Sequence, residues 1–70
     1  MKLFKVDPGS TGVVRDLTKL ASFAPWIASP EADNVFVEKE LRGTLDDYYL
    51  FVRGKTEYSI HMNNVRIVNE

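Results

Sequence analysis

Val13-Val14-Arg15-Asp16-Leu17-Thr18-Lys19-Leu20-Ala21-Ser22-Phe23-Ala24, closed by Pro25, is the stretch on which the fold turns. Val13, Leu17, Leu20, Ala21 and Ala24 recur at helical spacing, with Arg15, Asp16 and Lys19 on the remaining surface. That pattern predicts one amphipathic helix. Ser10 or Thr11 is placed to cap its first turn. Pro25 ends it, because the residue before a proline is pushed out of the helical region. About twelve residues of helix run to ~18 Å, enough to cover one face of a small sheet.

Upstream, Leu3 and Lys5 alternate with Phe4 and Val6, which reads as a short strand. The loop that follows, Asp7 to Gly12, is rich in turn formers. With Gly9 and Gly12 flanking Ser10 and Thr11 it resembles a phosphate-cradling loop in outline, and helix N-termini do attract anions. A nucleotide P-loop needs GxxxxGK followed by Ser or Thr; neither the spacing nor the lysine is present. A tight turn into a capped helix explains the loop. Beyond the helix, residues 25–34 form a connector in which Ser29-Pro30 reads as the cap and first position of a single helical turn. Trp26 in that connector either closes the edge of the core or anchors a partner.

From Asn34 onward the chain reads as a four-stranded antiparallel meander, roughly 34–41, 46–53, 56–62 and 65–69. Gly43, Gly54 and Asn63-Asn64 fall between the strands. A two-residue loop at Gly54-Lys55 pairs Phe51 with Tyr58 and Tyr49 with Ile60; one at Asn63-Asn64 pairs Ile60 with Ile67 and Met62 with Val65. One face then carries Phe36, Tyr49, Phe51, Tyr58, Ile60, Met62, Val65 and Ile67, the natural seat for the helix. The expected architecture is α+β: an N-terminal strand, one amphipathic helix, then the meander, in a single domain over residues 1–70.

Composition sets the outer limits. The 70 residues are 44% hydrophobic and 11% aromatic, too rich for intrinsic disorder. No apolar run approaches the ~20 residues of a membrane helix, and charges break up the first seven residues, so no signal peptide is read there. With no cysteine and no such signal, a reducing, cytoplasmic setting is expected. A net charge of −1 argues against bulk attraction to nucleic acid. Domains this small usually need a disulfide, a metal or association; zero cysteine closes the first route and the thiolate metal sites, which leaves association.

No motif names a reaction. His61 is the lone histidine, with no cysteine to act as nucleophile and no serine or aspartate held near it by local spacing. Between Glu31 and Asp47 six carboxylates face Lys39 and Arg42, net −4 against +3 for the rest. Glu38 and Glu40 are expected in a strand opposite Asp46 and Asp47, an acidic patch that keeps a sheet edge from pairing or meets a basic partner; no metal or other cofactor is assigned. The second sheet face gathers Val35, Val37, Tyr48, Leu50 and Val52 beyond the reach of one helix, and apolar area left open on a small protein marks an interface. The expected function is a non-enzymatic protein-interaction module, of the small regulatory or inhibitor kind found in bacteria and phages. It would bind a protein partner or its own copy through that face, with Trp26 and the acidic hairpin beside it. The alternative is a single-stranded nucleic-acid binder using Tyr48, Arg53, Lys55, His61 and Arg66.

Overall fold

The computed structural model describes residues 2–19, 23–29 and 34–69, and nearly all of their regular structure is strand. In chain order these are β1 (Leu3–Val6), β2 (Thr11–Asp16), β3 (Phe23–Ile27), β4 (Val35–Val37), β5 (Leu41–Leu45), β6 (Tyr48–Arg53), β7 (Thr56–His61) and β8 (Val65–Asn69). Single 3₁₀ turns at Glu38–Glu40 and Met62–Asn64 join β4 to β5 and β7 to β8. The expected α+β fold with a helix packed on a meander is therefore corrected to an almost all-β one. No helix of seven residues or more exists among the described residues, and none lies on a sheet.

The physical reason sits in the opening stretch. Val13 and Val14 are β-branched and follow Gly12, a composition that favours strand over helix. At Asp16 the chain reverses: its Oδ1 accepts from the Thr18 amide at 2.9 Å and from the Thr18 hydroxyl at 2.6 Å. Asp competes for backbone donors in this way and so favours turns over helix interiors. Arg15 then pairs with Phe23 and Val13 with Pro25. Pro25 is the centre of a strand, which is tolerated because β3 is the edge of its sheet. Leu17, expected in the core, is 40% exposed in the turn. Leu20, Ala21 and the helical turn expected after Ser29 lie outside the described residues.

The strands form two antiparallel sheets, ordered β4-β1-β8 and β3-β2-β7-β6-β5. The β6–β7 hairpin has the expected register, Phe51 opposite Tyr58 and Tyr49 opposite Ile60, around Gly54 at φ 64°. The next expected hairpin is absent: Met62–Asn64 turns as 3₁₀, and β8 leaves to pair with β1, placing Val65 beside Val6 and Ile67 beside Phe4. Ile60 instead faces Gly12 of β2. Gly43 lies inside β5, and the chain reverses at Asp46-Asp47, where Asp46 takes φ 56°, a conformation Asp adopts more readily than most residues.

The core lies between the sheets. Phe4, Val6, Ala28, Phe36, Phe51 and Ile60 are buried, and Trp26, Leu41, Tyr49, Tyr58 and Val65 pack against them. Phe36 stacks on Phe51 at 4.5 Å between ring centroids. The second sheet thus occupies the place expected for the helix. Met62 and Ile67, also expected inside, are exposed. Asn34 is the buried polar residue among those described, and its side-chain amide donates to the Ser29 carbonyl at 2.7 Å.

One charged clip ties the two sheets. Arg53, at the end of β6, donates to the Val35 carbonyl on β4 at 2.6 Å and lies over the Phe36 ring. The Arg53 Nε donates to Glu40 Oε2 at 2.7 Å, while Glu40 Oε1 accepts from the Val37 amide at 2.8 Å. The Arg53 hydrogen bond, aided by the Val37 amide and by nearby positive charge, holds the Glu40 carboxyl below its ordinary 4.5 against the opposing effect of burial. A carboxyl lowered on folding adds stability above its unfolded value and loses it as pH falls through the folded one. Melting temperature is therefore expected to hold from neutral pH down to about pH 5 and to fall below it. Glu40→Gln should cost about 1–2 kcal/mol at pH 7, above an exposed ion pair because three hydrogen bonds converge on a mostly buried carboxylate. It should also flatten the acid slope; an unchanged slope in thermal melts between pH 3 and 7 would remove Glu40 from this role.

Candidate functional site

Strand parity decides what the five-stranded sheet shows to solvent. Tyr49, Phe51, Tyr58, Ile60, Gly12 and Trp26 share its inner side, so their neighbours point outward. Three cross-strand rows result. The first runs Phe23, Arg15, Glu57, Val52 over β3, β2, β7 and β6. The second runs Pro25, Val13, Ser59, Leu50 over the same strands and ends at Arg42 on β5. The third places Ile27 beside Thr11 and His61 beside Tyr48. Phe23 and Ile27 are 65% and 64% exposed, Tyr48 44% and Val13 39%. A shallow depression of about 300 Å³ lies along the β2–β3 edge, lined by Gly12, Val13, Phe23, Ala24 and Pro25.

Arg15 and Glu57 put opposite charges in the middle of this face, and Arg42 lies at its β5 edge. Arg15 lies 5.5 Å from the Phe23 ring centroid, and its terminal nitrogen is 4.0 Å from Glu57 Oε1, a loose pair. The Arg15 Nε has no hydrogen-bond partner among the described residues. At the third row the His61 ring meets Tyr48 edge-on at 5.1 Å, and its Nδ1 accepts from the Asn63 amide at 3.1 Å. That bond caps the Met62–Asn64 turn and places the ring's proton on Nε2 when the imidazole is neutral.

Of the expected interaction residues, Tyr48, Leu50 and Val52 are brought together here. Val35 and Val37 are not: they belong to β4 in the other sheet, beside Lys5 and Leu3 of β1. Trp26 points inward, half-buried, edge-on to Tyr58 at 5.1 Å. It closes the core. The acidic patch is dispersed, since Glu38 and Glu40 form a 3₁₀ turn whose Glu40 is bound to Arg53, while Asp46 and Asp47 make the β5–β6 turn. No group of three His, Asp or Glu side chains among the described residues is arranged to hold a metal ion.

The cations and rings of the nucleic-acid alternative are spread as widely. Arg53 is bound within the clip, Lys55 sits at the β6–β7 turn, and Arg66 on β8 pairs with Asp7 at 2.9 Å. Tyr48 and His61 alone share a face. Comparison with protein-family models, curated proteins and solved structures found no match. No helix among the described residues is long and apolar enough to cross a membrane.

Val13, Phe23, Pro25 and Ile27 complete this face, and reading 13–24 as a helix and 25–34 as a connector hid them. The signal was present: Phe23, Pro25 and Ile27 alternate with Ala24 and Trp26 at the period of a strand.

Proposed function

We propose that the chain is a non-catalytic docking domain that takes up a protein partner on the outer face of its five-stranded sheet. What carries the reading is one sheet face with two apolar flanks: Phe23, Ile27 and Val13, exposed on β3 and β2, and exposed Tyr48 with Leu50 and Val52 on β6. Apolar side chains scattered singly on a surface need no explanation, but two groups of them gathered on one sheet face do. Aromatic residues and an arginine among aliphatic ones are also the usual make-up of a binding patch. A regulatory or inhibitory role fits such a domain, because occupying another protein's surface requires a face and no reacting group.

The reading is tested by cross-linking in the cells that make the protein, comparing wild type with the Phe23→Asp/Leu50→Asp double variant. Both substitutions are on the outer face, so the variant should melt within a few degrees of wild type. Partners captured by wild type should be depleted at least about tenfold with the variant, as for loss of central interface residues. Equal capture by a folded variant overturns the proposal.

A further inference from the structure

A two-fold axis laid along the strands, midway between β2 and β7, makes the outer face its own complement. β2 and β7 exchange places under that rotation, as do β3 and β6. Row by row, Phe23 comes to lie over Val52 of the second copy, Pro25 over its Leu50 and Ile27 over its Tyr48. Apolar meets apolar on both flanks. In the centre Arg15 comes over the second copy's Glu57, and Glu57 over its Arg15. We infer that the occupant of this face is a second copy of the chain, in an isologous dimer with its sheets packed face to face; this rests on the docking reading above.

The charges select this arrangement. A buried charge is tolerated when it meets a counter-charge, and here each of the two central ones does. The intrachain Arg15–Glu57 contact is only 4.0 Å, so the guanidinium retains donors for a second carboxylate. An axis laid across the strands instead, through the row of Val13 and Ser59, would bring Arg15 over Thr11 and Glu57 over His61, leaving Arg15 with no counter-charge. An unrelated partner has no reason to repeat the apolar–charged–apolar order of the four strands in reverse. A two-fold interface requires that repeat.

Size sets the strength. Four strands ~4.8 Å apart and about six residues long make a plate of roughly 400 Å². That is about half of what each partner contributes to a standard interface. The dimer is therefore weak and concentration-dependent. Sedimentation velocity from about 5 to about 500 µM brackets affinities of that order.

Arg15→Glu and Glu57→Arg, each checked for an unchanged fold by circular dichroism, should each weaken the dimer at least about tenfold, because like charges then face each other across the axis. Mixing the two variants restores both interchain pairs, while each chain keeps its own like-charged pair. The mixture should recover dimers containing one of each. Wild type that stays monomeric throughout, or a mixture that stays monomeric, overturns the inference. Monomeric wild type leaves the docking reading standing; that reading falls only on equal cross-linking by the Phe23→Asp/Leu50→Asp variant.

Discussion

Phe51→Ala is expected to remove most of the protein's stability. Phe51 is fully buried, stacks on Phe36 at 4.5 Å and meets Phe4 at 5.7 Å. It thus touches both strands β4 and β1 of the opposite sheet. Truncating a buried Phe costs about 3–5 kcal/mol, transfer and cavity terms together. A chain of this length has only about 4–10 kcal/mol in total, at ~0.05–0.15 kcal/mol per residue. The melting temperature should fall by about 15–30 °C, or the variant should be unfolded at room temperature. Urea denaturation gives the same quantity independently of heating. A loss below about 1 kcal/mol would mean that the two sheets do not share this core.

The second large effect comes from adding a single carbon. Gly12 lies on β2 opposite Trp26 and Ile60. A Cβ built there would stand 2.6 Å from the Ser59 carbonyl oxygen and 3.3 Å from Ile60 Cγ1. The first is a backbone atom of the neighbouring strand and cannot step aside alone. Gly12→Ala should therefore force β2 from β7 and cost about 1–3 kcal/mol, as overpacked cores do. Gly43 is the control: nothing lies within 4 Å of its Cβ position. Gly43→Ala should be neutral or add up to about 1 kcal/mol by restricting the unfolded chain. Equal effects of the two substitutions in urea titrations would contradict the close approach at Gly12.

These two residues also show how far the sequence could be read. Alternation along 48–61, with Gly54 at the turn, is a local signal, and it gave the correct hairpin register and the inward side of Tyr49, Phe51, Tyr58 and Ile60. Alternation says which side a residue takes; it does not say which strand lies alongside. β8 repeats the pattern, yet its partner is β1 at the other end of the chain. Nothing in Met62-Asn63-Asn64 distinguishes a hairpin loop from the 3₁₀ turn that sends the strand away. The opening stretch failed differently. Its apolar residues fit a helical period by count, whereas Gly12, the two valines and the Asp16–Thr18 hydrogen bonds favour strand and turn. Half of the proposed face, on β6, was legible for the first reason. The other half, on β2 and β3, was lost for the second.

β1 is held between β4 and β8, Phe4 lying beside Phe36 on one side and Ile67 on the other. During synthesis, at ~5–20 residues per second, Leu3–Val6 emerges about 3–12 s before its last neighbour exists. Through that interval Phe4 and Val6 have no permanent place, and a chain released before Val65 can fill only one of the two edges. Distant pairings of this kind also slow folding towards milliseconds or seconds. Acquisition of the native state is consequently deferred until β8 has been made, and chains cut short before it should be the form of this protein that chaperones and proteases meet.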